Sequence, residues 1–348
     1  MGFKLGVDVG GTFTDLSLFD EESGNTIVLK LPSTVEDPSL AIVNGIKSLL
    51  STNNIQASEI TYLVHGTTVG TNTAIERKGA KTALITTKGF GDLLEIGRQT
   101  RPSIYDLFQD KPDPLVRREL RKEVTERIKY DGTTDRELDR EEIVDVINLL
   151  KNKKVESVSV CFLHSYINST HEQEVKQLLF EYFPEAYVSV SSDVLPQYRE
   201  FERFSTTTLN SYLGPKVSGY VSNFEQRVKD LGVKVAPYIN QSNSGVMSIE
   251  TTKKNPARTA LSGPSAGVSG ANYVSELAGF KNIITFDMGG TSTDVCLIED
   301  SKPKVTIGKK VAGFPLNLPM TDVHAVGAGG GSIAWVDAGG ILKVGPES

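Results

Sequence analysis

Cysteine is nearly absent from this chain: only Cys161 and Cys296 occur among 348 residues, each between apolar neighbours. So few cysteines exclude a disulfide framework and a cysteine-based zinc site, and they suit a reducing cytoplasm. Long hydrophobic runs are missing too. No apolar stretch approaches the roughly 20 residues that span a bilayer, and the opening Phe3-Lys4-Leu5-Gly6-Val7 lacks the shape of a signal peptide. A soluble, cytoplasmic protein without a membrane partner is expected. Nor is there a surplus of positive charge: 37 Lys and Arg face 43 Asp and Glu, a net charge of −6, with no basic tail. That balance argues against nucleic acid as a partner while leaving room for a small anion bound locally. What is present is ordinary globular composition, 39% hydrophobic and 23% charged, on a chain long enough for two lobes with separate cores.

Alternation and turn residues organise the chain into α/β segments. Residues 3–9, 15–19 and 26–30, separated by Gly10-Gly11 and Ser23-Gly24-Asn25, predict a three-strand meander. Asp37 before Pro38 predicts a capped helix start, and Leu40, Val43, Ile46, Leu49 and Leu50 recur at helical spacing, so a helix should cover one face of the meander. Further strands are predicted at 61–64, 81–86, 157–162 and 187–190. Asp139 with Glu142 reads as a capping box ahead of Ile143, Val144, Ile147 and Leu150, and Thr170 with Gln173 starts another helix. Residues 98–116, interrupted by prolines, predict an irregular excursion, and the charged and aromatic residues of 199–204 predict a solvated helix face. Gly263-Pro264 opens a small-residue helix to about Leu277, stopped by Gly279.

The opening plan then returns. Residues 282–286 lead into Asp287-Met288-Gly289-Gly290, followed by 294–298, a turn at Ser301-Lys302-Pro303 and a strand over 304–310. The stretches 8–15 and 287–294 share the pattern Asp-x-Gly-Gly-Thr-x-Thr-Asp, and Leu18 matches Leu297 beyond it. This is the signature of an internal duplication, two related lobes that each open with a glycine hairpin. Only residues 282–348 remain for the second, so a truncated or divergent second lobe is expected. A strand ending in Asp and running into Gly-Gly-Thr lets backbone N–H groups approach phosphate oxygens with no Cβ in the way. The Thr hydroxyls add donors, and the Asp faces a hydrated Mg²⁺. One such turn is weak evidence of a site, whereas two facing each other can clamp one polyphosphate. Asp15 and Asp294, which close the motifs, either hold the hairpins or take part in catalysis.

The paired motifs, with the 263–279 helix just before the second, resemble the phosphate loops and interlobe helix of the actin, sugar-kinase and Hsp70 ATPase superfamily. Other stretches narrow the resemblance: His65-Gly66-Thr67-Thr68-Val69-Gly70-Thr71-Asn72, Glu95-Ile96-Gly97-Arg98-Gln99, Arg101-Pro102, Tyr105-Asp106-Leu107, Ser262-Gly263-Pro264-Ser265-Ala266-Gly267 and Asp322-Val323-His324 with the glycine run at 327–331. These resemble the hydantoinase A and 5-oxoprolinase family along nearly the whole chain. The resemblance implies duplicated ribonuclease H-like (actin/hexokinase-type) ATPase lobes, divided as 1–185, 186–281 and 282–348. It also implies ATP-driven phosphorylation of a carbonyl oxygen, in a hydantoin, 5-oxoproline or lactam ring. Mg²⁺, a monovalent cation such as K⁺ and a hydantoinase B-type partner subunit come with it.

By that resemblance Asp8 and Asp287 orient Mg²⁺ or its waters. Gly10, Gly11, Thr12, Thr14, Gly289, Gly290, Thr291, Gly329 and Gly330 are expected at the nucleotide. His65 is expected to face the cleft as a catalytic residue, and Thr67, Thr68, Arg98, Gln99 and Arg101 to meet the substrate. Asp322 with His324 is a possible metal pair or part of a cleft-lining loop, and Trp335 is expected to pack in a hairpin over 332–344. Two other functions stay open in the sequence: the acetone-type carboxylase version of the same chemistry, and a non-catalytic nucleotide-binding regulatory or interaction protein.

Overall fold

The computed structural model describes residues 2–10, 13–34, 38–290 and 292–345. Strands β1 (Phe3–Val9), β2 (Phe13–Asp20) and β3 (Thr26–Pro32) form the predicted antiparallel meander. Because side chains alternate along a strand, Leu5, Val7 and Val9 all point into the core while Lys4, Gly6 and Asp8 share the other face. Helix α1 (Pro38–Thr52) lays Ile42, Ile46 and Leu49 on β2 and β3. Gly45 permits that approach, since a Cβ there would stand 2.6 Å from Leu16 Cδ1. The expected cap, Asp37, lies outside the described residues. Strand β4 (Ile60–Thr67) then joins β1 in parallel, and α2 (Val69–Ile75) follows it.

The next segment builds a second, all-parallel sheet from β5 (Thr82–Thr87), β6 (Arg121–Val124), β7 (Ser157–Cys161) and β8 (Tyr187–Val190), in the order β8-β7-β5-β6. Its strands are buried along most of their length, as strands covered on both faces are. Helices α3 (Arg140–Asn152) and α4 (Thr170–Tyr182) pack beside it. The capping box at α3 forms by half: the Asp139 carboxylate accepts from the amides of Glu141 and Glu142, but the Glu142 carboxylate turns away to accept from Thr125 N at 2.7 Å. Residues 98–116 carry no helix or strand, in keeping with their prolines.

The long helix α5 (Glu200–Asp230) runs between the two sheets, and β9 (Tyr238–Asn240) and β10 (Val246–Ser248) complete the first in the order β10-β9-β4-β1-β2-β3. Its start corrects the expectation of a solvated face. Arg203 and Phe204 are fully buried, Phe204 in the second core and Arg203 donating to the carbonyls of Phe162 (2.7 Å) and Gln197 (2.9 Å). A guanidinium given carbonyl acceptors can enter a core, and a charge pattern alone does not reveal those acceptors. The first core combines residues from 5–74 with others from 195–320, so it joins chain from both sides of position 185.

Helix α6 (Ser262–Leu277) ends as predicted at Gly279, whose φ is +82°. Strands β11 (Ile283–Met288) and β12 (Thr293–Glu299) pair antiparallel, and β12 also pairs with Lys302–Pro303 and His324–Val326. Here the turn sits earlier than expected, at Asp300-Ser301, both with positive φ (49° and 57°), the conformation tight two-residue hairpins favour. The single strand expected over 304–310 is instead two short ones, Val305–Thr306 pairing Met320–Thr321 and Lys309–Val311 pairing Phe314–Leu316. The hairpin expected to hold Trp335 is present, as Ala334–Val336 against Leu342–Val344, but Trp335 itself is exposed rather than packed. Both cysteines are buried and unpaired, and no helix of the described residues is long and apolar enough to cross a membrane.

Candidate functional site

The two glycine turns close in the same way. At the first, Asp8 pairs with Asp15 and Val9 with Thr14, and Gly10 N donates to Phe13 O at 2.9 Å. At the second, Asp287 pairs with Asp294 and Met288 with Thr293, and Gly289 N donates to Ser292 O at 2.9 Å. Helix α6 packs against β4 and β9 on one side and β11 and β12 on the other, and so bridges the two sheets that carry these turns. Its start is tied to the first: Ser262 Oγ donates to Thr67 O (3.1 Å), and Leu261 N to Thr71 Oγ1 (2.9 Å). Its flank passes the second, where a Cβ on Gly267 would lie 3.8 Å from Asp287 Oδ2.

Four carboxylates thus sit in the strands leading into and out of the turns. Asp8 is exposed to solvent. Loss of hydration raises its pKa, and repulsion from Asp15 and Asp287 adds to the rise. Asp294 is raised in the same way, first by desolvation and then by Asp287, with Lys309 opposing. Asp15 is paired with Lys30 at 3.1 Å. Room for the Asp8 carboxylate comes from Gly66, directly opposite in the β1–β4 register, where a Cβ would stand 2.7 Å from Asp8 Oδ1. Gly66 was not among the expected site residues, and only the strand register gives its role away.

The remaining predicted residues divide sharply. Gly11, Thr12 and Thr291 lie outside the described residues. Thr14 is fully buried, and its hydroxyl bonds Ser33 Oγ (2.9 Å), which in turn donates to Gly10 O (2.9 Å); this pair stiffens the first turn from behind. Gly329 and Gly330 buttress the second: Gly330 N donates to Gly289 O (2.9 Å), Gly331 N to Gly290 O (2.8 Å), and a Cβ at Gly329 would fall 2.6 Å from Gly289 O. The glycine run is therefore needed for backbone to lie on backbone. Thr67 Oγ1 accepts from Val69 N and so joins the end of β4 to the start of α2, while Thr68 Oγ1 donates to Val9 O of β1.

His65 corrects the expectation of a cleft-facing residue. It pairs in register with Val7, on the face opposite Asp8 and Gly66, and is fully buried. Its Nε2 lies 2.7 Å from Tyr220 Oη, its Nδ1 3.3 Å from Val7 O, and its ring packs on Phe224 of α5. Burial lowers its pKa to about 4, so it stays neutral in the folded protein. Arg98 and Arg101 line a separate cavity of about 450 Å³, where Arg98 forms a two-bond ion pair with Glu202 (2.8 and 2.7 Å); Gln99 is exposed. Asp322 is held by Lys309 (3.1 Å), with His324 Nε2 at 3.5 Å.

Comparison with known proteins gives this geometry a family. Residues 4–183 match the hydantoinase/oxoprolinase N-terminal region and residues 203–348 the hydantoinase/oxoprolinase region that follows it. The chain belongs to the hydantoinase/oxoprolinase family. It is 41% identical to an uncharacterized protein of Methanocaldococcus jannaschii, over all of this chain and 53% of the relative. To the caprolactamase subunit alpha of Pseudomonas jessenii it is 34% identical, over 99% of this chain and 50% of the relative, and the crystal structure of that ATP-dependent caprolactamase superposes with a TM-score of 0.90, covering 99% of this chain and 51% of that one. The nucleotide-free structure of acetone carboxylase, 30% identical, superposes at 0.85 over the whole of this chain and 51% of that one. The chain thus spans about half the length of these relatives, and it shares their α/β fold with mixed sheets.

In this family frame the carboxylates can be tested against a metal. Among the described residues no three His, Cys, Asp or Glu side chains converge as a ready-made cage. Mg²⁺ does not need one: it keeps most of its waters and is held through one or two carboxylates together with substrate phosphates. Oxygen donors whose pKa is raised first by desolvation and then by neighbouring carboxylates suit that arrangement, because a divalent cation would relieve the repulsion.

Proposed function

We propose that this chain binds Mg²⁺-ATP between its two glycine turns and directs the γ-phosphoryl group to the carbonyl oxygen of a cyclic amide, as the nucleotide-binding subunit of a ring-opening hydrolase. The observation that carries this reading is the pair of turns with one register, bridged by helix α6, whose start is tied to Thr67 of β4 and whose Gly267 passes Asp287. Phosphoryl transfer asks a protein mainly for positioning and charge neutralisation. Asp8 and Asp287 would hold Mg²⁺ through its waters, and the bound cation would supply positive charge to offset that of the phosphates. Gly10, Gly11, Thr12, Gly289, Gly290 and Thr291 line the phosphates, with Gly329 and Gly330 holding the second turn in shape. In balance, the amide oxygen forms a bond to the γ-phosphorus, the bond to the bridging oxygen breaks, and ADP leaves. Water then adds to the activated carbon, the ring C–N bond breaks as the nitrogen takes up a proton, and the acyl phosphate left behind is cleaved by a second water to carboxylate and phosphate.

The strand order of the first sheet and the matching register of the hairpins support duplicated ribonuclease H-like lobes, with 1–185 and 186–281 in the first and the second opening near 282. A hydantoinase B-type subunit is the natural partner, given that the caprolactamase relative is itself a subunit. K⁺ as a second cation and a cytoplasmic setting complete the reading. With the partner present, ADP release should rise when hydantoin, 5-oxoproline or a lactam is added, and ADP release indifferent to all of them would sink the proposal. Acceleration by acetone and bicarbonate instead would favour the carboxylase chemistry of the other superposed structure. The non-catalytic alternative is not favoured, since the caprolactamase and acetone carboxylase relatives are enzymes.

A further inference from the structure

Three hydroxyls meet where the first sheet, helix α6 and the strands behind the second glycine turn come together. Ser244 Oγ lies 2.9 Å from Ser265 Oγ and 2.8 Å from Thr321 Oγ1, and Ser265 Oγ lies 2.7 Å from Thr321 Oγ1. A hydroxyl has one proton to donate and can accept as well, so three at these distances are fully served by a closed ring in which each donates to the next. Ser265 and Thr321 are buried, which leaves the ring rather than water to satisfy them. Ser244 is held in the left-handed region, with φ +66°, which non-glycine residues adopt only where their surroundings over-determine it.

Each corner of the ring belongs to a different part of the molecule. Ser244 sits in the turn between β9 and β10, on the sheet that carries the first glycine turn. Ser265 is in the first turn of α6, two residues before the Gly267 that passes Asp287. Thr321 ends the short strand Met320–Thr321; Asp322, held by Lys309, follows it, and His324–Val326 then pairs with Thr293, Asp294 and Val295 of β12. A backbone bond runs alongside, from Thr321 N to Ser242 O (2.8 Å). Both glycine turns close through their own backbone bonds without any of these hydroxyls, so the ring serves their placement and not their shape. Two turns can grip one polyphosphate only if their spacing is fixed.

We propose that this hydroxyl ring is a latch that sets the separation of the two glycine turns, with Ser244, Ser265 and Thr321 as positioning residues for the nucleotide. The inference rests on the reading of the turns as a nucleotide clamp and adds what holds its two sides in place. Thr321→Val is the informative variant, because Ser265 Oγ can still donate to Ser244 Oγ and Ser244 Oγ to Ser265 O, 3.2 Å away, so no buried proton is stranded. Spin labels on Val28→Cys of β3 and Ile284→Cys of β11, both exposed positions, report the separation of the two sheets, and the native Cys161 and Cys296 are buried. Without nucleotide the latched chain should give one narrow distance distribution. Thr321→Val and Ser265→Ala should each broaden it, and each should weaken binding of a non-hydrolysable Mg²⁺-ATP analogue about tenfold, the scale of one or two lost hydrogen bonds. Thr321→Ser, which keeps the hydroxyl, should return both readouts to those of the latched chain. A distribution as narrow in Thr321→Val as in the latched chain, or a Thr321→Ser variant that behaves like Thr321→Val, would overturn the proposal. Because the distances are read without nucleotide, a chain that binds no analogue loses the nucleotide reading, while the distances still decide whether the ring fixes the spacing.

Discussion

The two glycine hairpins have the same register and the same turn, and they differ in what lies behind them. On β1, Leu5, Val7 and Val9 are at most 4% exposed, whereas their counterparts on β11, Ile284, Phe286 and Met288, are 69%, 66% and 53% exposed. The first face is covered by α1 and α5, whose Ile42, Ile46, Val221 and Phe224 belong to the same core. Among the described residues, the sheet of β11 and β12 is packed on its aspartate side, where Val268 of α6 meets Cys296 and Ile298. Turn geometry therefore follows from eight local residues, while burial follows from helices supplied elsewhere in the chain. The bare apolar face of β11 is the kind of surface that normally marks a contact with another element.

The sharpest way to break this comparison is to truncate the same position in both hairpins. Leu5→Ala should cost about 3 kcal/mol through loss of burial and an unfilled cavity. Ile284→Ala should stay within about 0.5 kcal/mol, as exposed substitutions do. Urea unfolding of the two variants measures both, and equal costs would mean that the β11 face is covered in solution.

A second difference is that the histidine in register beside the first hairpin, His65, is buried, whereas His324 beside the second is exposed. The folded pKa of His65, about 4, lies below its ordinary value of 6.5. Between those values the unfolded chain takes up a proton that the folded one refuses, so stability falls as pH drops from 6.5 towards 4. The span corresponds to about 3 kcal/mol. His171 has the opposite sign: its hydrogen bond to Glu126 raises its pKa, so its contribution is complete below 6.5 and fades as pH rises through the raised value. Unfolding midpoints from pH 7.5 to 4.5 should show the acid-side loss, and His65→Gln should flatten it. An unchanged slope would place His65 in contact with water.

The smallest expected effect compares the space above each leading aspartate. Gly66→Ala would drive a methyl into the Asp8 carboxylate and should weaken Mg²⁺-ATP binding about tenfold, or about 1.4 kcal/mol. Gly267→Ala meets Asp287 only at ordinary contact distance and should change affinity little. Calorimetry on the pair checks this, and a larger effect at Gly267 would reverse the roles assigned to the two glycines.

The parts legible in the sequence were those governed by neighbours along the chain. The meander, both turns, the proline-broken 98–116 segment and the glycine stop at 279 all follow from period-two alternation or local backbone preference. What escaped depends on partners distant in sequence. His65 lies beside a glycine at a strand end, as a site residue would, and only Tyr220 and Phe224, more than 150 positions later, make it a core residue. Arg203 looked solvated until its carbonyl partners were known, and Glu142 left its capping box for Thr125. The glycine run at 327–331 invited a phosphate reading, yet two of its amides are bonded to the second turn.

The central claim is that the two turns act together on one nucleotide. Calorimetric titration of this chain with Mg²⁺-ATP, beside Asp8→Ala and Asp287→Ala, tests it most directly. The account predicts binding by the unaltered chain and a loss of about a hundredfold or more in each variant, because each removes one side of the same clamp. Binding that survives either substitution, or that is absent from the unaltered chain, would contradict it.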